Sequence, residues 1–334
     1  MRQPLRADTH YFMFSFFSYQ KKKGVAMNIS ASHERYVNFY TDFAFKKLFG
    51  TEMNKDLLIS FLNSLFDGQE VIKDLKYLNV EHLGHISLDR KAVFDVYCEN
   101  EKGEKFLIEM QKAEQDYFKD RSIFYCTFAI QEQAPKGRWN FELKKVYTIG
   151  ILNFTFTEDD DNVMHHEVML MDKHTKDVFY DKLTYVYLEM PKFRKTEAEL
   201  DTLFDKWLYA IKNMATLIER PAALQEAIFQ RLFEQAEIAK FNKNELYDYR
   251  ESQKEYWDWN AVTETAERKG IVKGIAKGRA EGLAEGLAEG EKKGRAEGMK
   301  EATIANALNL KKNGVPIEII ANSLGLNIEE VQEL

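Results

Sequence analysis

Cysteine is nearly missing from this chain: two occur in 334 residues, Cys98 and Cys126. Two are too few for a disulfide-stapled framework. Both sit among aromatic or β-branched neighbours, so buried free thiols in a reducing cytoplasm are expected. Long apolar runs are missing too. None approaches the roughly 18 residues of a membrane helix, which argues against a membrane role. The stretch YFMFSFFSY is short, and the Lys-Lys-Lys-Gly after it has no small-residue cleavage site. We expect translation to start at Met27 and residues 1–35 to form a disordered extension. Net positive charge is lacking as well: the balance is -7. Any contact with nucleic acid would therefore need a local basic patch or a bound metal. Neither a phosphate loop nor a dinucleotide fingerprint occurs, and no G-x-S-x-G elbow supports acyl transfer. His165-His166 and the pair His82, His85 have no third histidine or cysteine at ligand spacing.

What the chain does have is 45% apolar and 13% aromatic residues, enough for a substantial core. NKDLLISFLNSLF (54–66) places Leu57, Leu58, Phe61, Leu62 and Leu65 at helical spacing. Residues 92–99 and 105–112 read as hairpin strands, 115–133 as a helix, and 144–156, 163–172 and 183–191 as further strands. Residues 196–266 read as helical throughout. The order predicts an α/β fold with a core over 36–195 and a helical region over 196–266. A glycine recurs every fourth residue from Gly270 to Gly298, predicting a marginal solvated helix or linker over 267–300. Residues 301–334 have the spacing of a small helix-turn-helix-like unit.

The segment FDVYCENEKGEKFLIEMQ (94–111) is the most informative. A turn at 101–103 pairs residues whose numbers sum to 204, so Asp95 faces Glu109, with Gln111 two residues along on the same face. Opposed like charges destabilise a strand pair unless a cation lies between them, and hard oxygen donors suit Mg²⁺ or Mn²⁺. Such an ion could lower the pKa of a bound water, with Gln111 orienting that water. The other reading places both acids on a wet sheet face beside Lys91, Lys105 or Lys112. Spacing alone leaves both open. The apolar neighbours Phe94, Val96, Leu107 and Ile108 favour the cradle, and Arg121 could meet a phosphate bidentately.

Taken in order, TDFAFKKLFG, FDVYCENEKGEKFLIEMQ and FKDRSIFY resemble the Rpn family of recombination-promoting nucleases, also described as transposases, within the PD-(D/E)XK superfamily. The resemblance covers about residues 36–250, and a glycine-repeat tail recurs in such proteins. It implies a restriction-endonuclease-like fold: a mixed central sheet flanked by helices. It also implies Mg²⁺-dependent DNA endonuclease activity linked to recombination or mobile elements. Asp95 and Glu109 correspond to the motif acids, and Gln111 stands where lysine is common. Asp42 matches the first motif and could supply a further metal ligand, and Lys46, Lys112 and Arg121 are the candidate DNA contacts. The rival expectation is a non-catalytic DNA-binding or recombination-accessory protein that keeps this fold. Self-association through the C-terminal tail is a further expectation.

Overall fold

The computed structural model describes residues 34–78, 94–135, 137–156 and 163–334. Most of the N-terminal extension, with His82, His85 and Lys91, lies outside these residues. The chain divides into two compact units, one ending at Asp258 and the other running Trp259–Leu334.

In the first unit, helix α1 (Asp42–Phe49) starts where the Thr41 side chain accepts the Ala44 N–H. Asp42 in its first turn and Lys46 and Lys47 in its last complement the helix dipole. Helix α2 (Lys55–Phe66) buries all five leucine and phenylalanine positions picked out by periodicity. It stops where Asp67 (φ 45°) and Gly68 (φ 81°) turn left-handed.

Strands β1 (Leu75–Tyr77), β2 (Val96–Asn100), β3 (Lys105–Gln111), β4 (Val146–Leu152), β5 (His165–Met171) and β6 (Val178–Glu189) form one sheet in the order β1-β2-β3-β4-β6-β5. β3, β4 and β6 run parallel and the other pairs antiparallel, so the sheet is mixed. β4, VYTIGIL, is buried along its whole length, as a central parallel strand covered on both faces must be. The β5–β6 register slips on either side of Leu170.

Helix α3 (Phe118–Gln131), between β3 and β4 in the chain, contributes Phe118, Cys126 and Ala129 to one apolar layer with Tyr97, Leu107 and Tyr187. A larger layer joins α1 and α2 to α4 (Leu203–Asn213), α5 (Ala227–Ala236) and residues such as Val96, Ile108 and Ile149 of the sheet. Trp207 anchors it: wholly buried, it packs on Phe49, Phe61 and Phe229 and donates from Nε1 to Ser60 Oγ at 3.1 Å. Cys98 and Cys126 are buried and unbridged, one in each layer.

Residues 196–266 are not helical throughout. Leu217 is extended, the segment around Pro221 carries no helix, and α5 ends at Ala236. There Glu237 turns extended, bridges Tyr36 and receives Arg35 Nε at 2.9 Å, a tertiary pairing that overrides helix propensity. Helix α6 (Lys243–Lys312) follows, and its residues up to Asp258 belong to the first unit.

The second unit holds the rest of α6, with α7 (Ile317–Leu324) and α8 (Ile328–Glu333). Gly314 (φ 77°) and Gly325 (φ 67°) make the turns, and Asn327 caps α8. Ala307, Ile320, Ala321 and Val331 are its buried centre. The glycines from Gly270 to Gly298 lie on α6, and a Cβ added to any of them would meet nothing within 4 Å. Among the described residues no helix is long and apolar enough to cross a membrane.

Candidate active site

The expected hairpin register is present. Val96 pairs with Ile108, Tyr97 with Leu107, Cys98 with Phe106 and Glu99 with Lys105. The ladder stops at Val96, one residue short of the expected pairing of Asp95 with Glu109. β2 begins only at Val96, so Asp95 precedes the ladder, and its Oδ2 accepts the Met110 N–H at 2.7 Å. The side chain thus takes a strand donor at the point where the strand partner runs out.

Burial sets the electrostatics. Desolvation pushes the Asp95 carboxyl up to about 6, opposed by the Met110 N–H and raised further by the charge of Asp42, while Lys46 and Lys112 pull it back. Desolvation likewise pushes Glu109 up to about 7, the negative charge of Asp95 adds to the rise, and Arg121 opposes it. Glu109 therefore feels the charge of Asp95. Arg121 Nη2 stands 3.9 Å from Glu109 Oε1, its other terminal nitrogen bonds Gln115, and its guanidinium lies 5.9 Å from the Tyr125 ring centre.

The other expected residues divide. Gln111 is buried on the face of Glu109, and its Nε2 donates to the Ala113 carbonyl at 3.0 Å, which fixes the amide against its own turn. Lys112 lies within electrostatic reach of Asp95. Asp42 also approaches Asp95 electrostatically, but its carboxylate pairs with Lys46 Nζ at 2.8 Å and stays half exposed. Lys105, named in the wet-face reading, points to Glu99 and Glu132 instead.

A cleft of about 740 Å³ opens beside Asp95 between α1 and the start of α6. Sequence reasoning missed its far wall, where Glu245, Asp248, Glu251 and Glu255 line one side of α6. Their three- and four-residue spacing is a helix-face signal that could have been read. α6 is held there by Lys47 on Glu245, by Ser252 Oγ accepting the Phe43 N–H at 3.1 Å and by Tyr256 stacked on Tyr40. The cleft is thus lined by six carboxylates, counting Asp42 and Asp95, against two lysines, Lys46 and Lys47.

Also unforeseen were Gly150 and Tyr187. Gly150 pairs with Glu109 on one side and Tyr187 on the other, and a Cβ there would come 3.1 Å from Tyr187 Cδ1. Tyr187 Oη and Ser122 Oγ share a buried hydrogen bond of 2.7 Å.

No group of three or more His, Cys, Asp or Glu side chains among the described residues is arranged to hold a metal ion. Two buried carboxylates with water completing the shell still match Mg²⁺, which keeps several waters and is often held by one or two carboxylates. Burial disfavours the charge of both Asp95 and Glu109, and Asp95 adds to it at Glu109, a cost that a cation would relieve, so the residues present fit one.

No curated protein matches the chain, and no solved structure does. The family model described as PD-(D/E)XK nuclease family transposase matches residues 39–266. The chain belongs to that family.

Proposed function

We propose that this member of the nuclease family is a metal-dependent DNA endonuclease, acting in the cytoplasm and linked to recombination or mobile elements. The observation that carries the reading is the pair of buried carboxyls, Asp95 and Glu109, both raised by desolvation, with Asp95 adding to the rise at Glu109. Asp95 and Glu109 would hold Mg²⁺, or Mn²⁺ in its place. When bound, the ion supplies charge for a developing phosphorane and a more acidic water. The Met110 N–H fixes the Asp95 carboxylate, and Arg121 steadies Glu109 from the other side. Gln111 has its amide nitrogen committed to Ala113, so its oxygen is the atom left to accept a hydrogen bond from an attacking water and orient it. Lys46, Lys112 and Arg121 supply positive charge for the phosphates, and Asp42 tempers Lys46 rather than adding a close ligand. Self-association through the second unit is part of this reading.

Asp95→Ala or Glu109→Ala should lower Mg²⁺-dependent nicking of supercoiled plasmid by at least about a hundredfold. Undiminished cleavage by both variants would remove this site from consideration.

One observation favours a second reading, a non-catalytic DNA-binding protein on the same fold. Glutamine rather than lysine occupies position 111, and its amide is tied to its own turn. Calorimetric titration with Mn²⁺ separates the two: binding lost in Asp95→Asn supports hydrolysis, and no binding to the native chain supports the accessory role.

A further inference from the structure

The sheet face that carries Glu109 has a second hollow, one strand beyond Gly150. It holds about 450 Å³ between α3 and the β5–β6 pair. Its character is opposite to that of the Asp95 cleft: among the described residues no carboxylate lines it, while Lys119 and His166 do. The walls are aromatic. Phe156 and Tyr187 meet edge to face at 5.3 Å, and Tyr185 stacks beside Tyr187 at 6.4 Å. Lys119 Nζ stands 4.6 Å above the Phe156 ring. His166 Nε2 lies 2.7 Å from Glu189 Oε1, and Glu189, wholly buried, also meets Lys192 Nζ at 3.0 Å. That carboxylate is charge-matched by Lys192, so it presents no net negative charge to the hollow.

We infer that this hollow accepts a single unstacked nucleobase of the strand whose phosphate lies at Asp95 and Glu109. The inference rests on the nuclease reading for the identity of the strand. Three observations carry it. The volume falls in the range of small-ligand sites, with apolar walls and few polar groups. Its aromatic and cationic lining matches a flat ring joined to a phosphate, the combination used by single-strand binding proteins. The hollow also neighbours the acid pair, because Tyr187 is a wall of it and flanks Gly150, the register partner of Glu109. The first turns of α3 divide the two: Arg121 reaches Glu109 on one side, and Lys119 and Ile123 line the hollow on the other. The favoured substrate is accordingly single-stranded DNA, or a duplex that can extrude a base.

The test compares a fluorescein-labelled single-stranded oligonucleotide with the same sequence as a duplex, bound by the full chain in EDTA so that nothing is cleaved. The native chain should bind the single strand about tenfold more tightly than the duplex. Val168→Glu and Ile123→Glu, both at exposed rim positions, should bring that ratio close to one. Ile271→Glu, exposed on α6, should leave it unchanged, since a general charge effect cancels in the ratio. Thymidine should compete for the single-strand site, and deoxyribose 5-phosphate, which lacks a base, should not. Equal affinities in the native chain, an intact ratio in both rim variants, or equal competition by the two small molecules would each overturn the inference. Cleavage by Asp95→Ala bears on the nuclease reading alone, so the two can fail separately.

Discussion

Lys192 Nζ lies 3.0 Å from Glu189 Oε2 at the end of β6, with side chains only 2% and 0% exposed. His166 approaches the other carboxylate oxygen, and Lys192 also donates to the Val163 carbonyl at 3.1 Å. A buried pair of this kind adds little over an apolar substitute, yet removing one partner strands the other charge. Lys192→Met should therefore destabilise the fold by about 3–5 kcal/mol. The double variant with Glu189→Gln should regain most of that loss. Urea unfolding of the single and double variants reads the difference, and equal losses in both would show that the charges do not act as a pair.

Stability should fall with rising pH in the metal-free chain. Asp95 rises from 3.8 to about 6 and Glu109 from 4.5 to about 7, so the folded state holds more protons than the unfolded state across that window. Excess protons on the folded side make unfolding easier as pH increases. Between about pH 4 and 7 the loss should be on the order of 5 kcal/mol, approaching about 6 kcal/mol above the folded values. Thermal unfolding in EDTA at several pH values measures it, and Mg²⁺ should recover the loss at pH 8. A flat profile would contradict the electrostatics of the pair.

Arg121 opposes the upward shift of Glu109, so its removal should move the acid limb of the activity profile to higher pH. Arg121→Ala is also expected to weaken DNA binding across sequences and lower the salt slope by about one. A profile that stays in place while affinity drops would limit the arginine to phosphate contact.

Gly150 has no room for a branched side chain. A Cβ would lie 3.1 Å from Tyr187 Cδ1 and 3.2 Å from Leu152 Cδ2. Gly150→Val should cost about 1–3 kcal/mol through overpacking. Because the strain falls on Tyr187 and beside Glu109, activity should decline at temperatures where the variant is still folded. Unchanged melting and activity would mean that Tyr187 gives way freely.

Much of the site was legible because it is local. A glycine-containing turn fixes the β2–β3 register, and with it the meeting of Asp95 and Glu109, from residues close in sequence. The amphipathic spacing of α2 was equally plain. What escaped depends on pairings across long separations. Nothing near Glu109 announces that Gly150 and Tyr187 will flank it, since parallel strands bring together residues far apart in the chain. The break at Glu237 follows from its bridge to Tyr36, and the acidic wall of the cleft from α6 lying against α1. The bond of Gln111 to Ala113 depends on a turn that strand alternation alone does not define.

The slip beside Leu170 has a bearing on how the molecule is handled. β5 ends the sheet with oily side chains outward, Val168, Leu170 and Met171 among them, and so resembles a template for runaway stacking of copies. The two offsets spoil the even spacing of amides that an incoming ribbon would need to zip on. A deletion that straightened this margin would therefore favour fibrils.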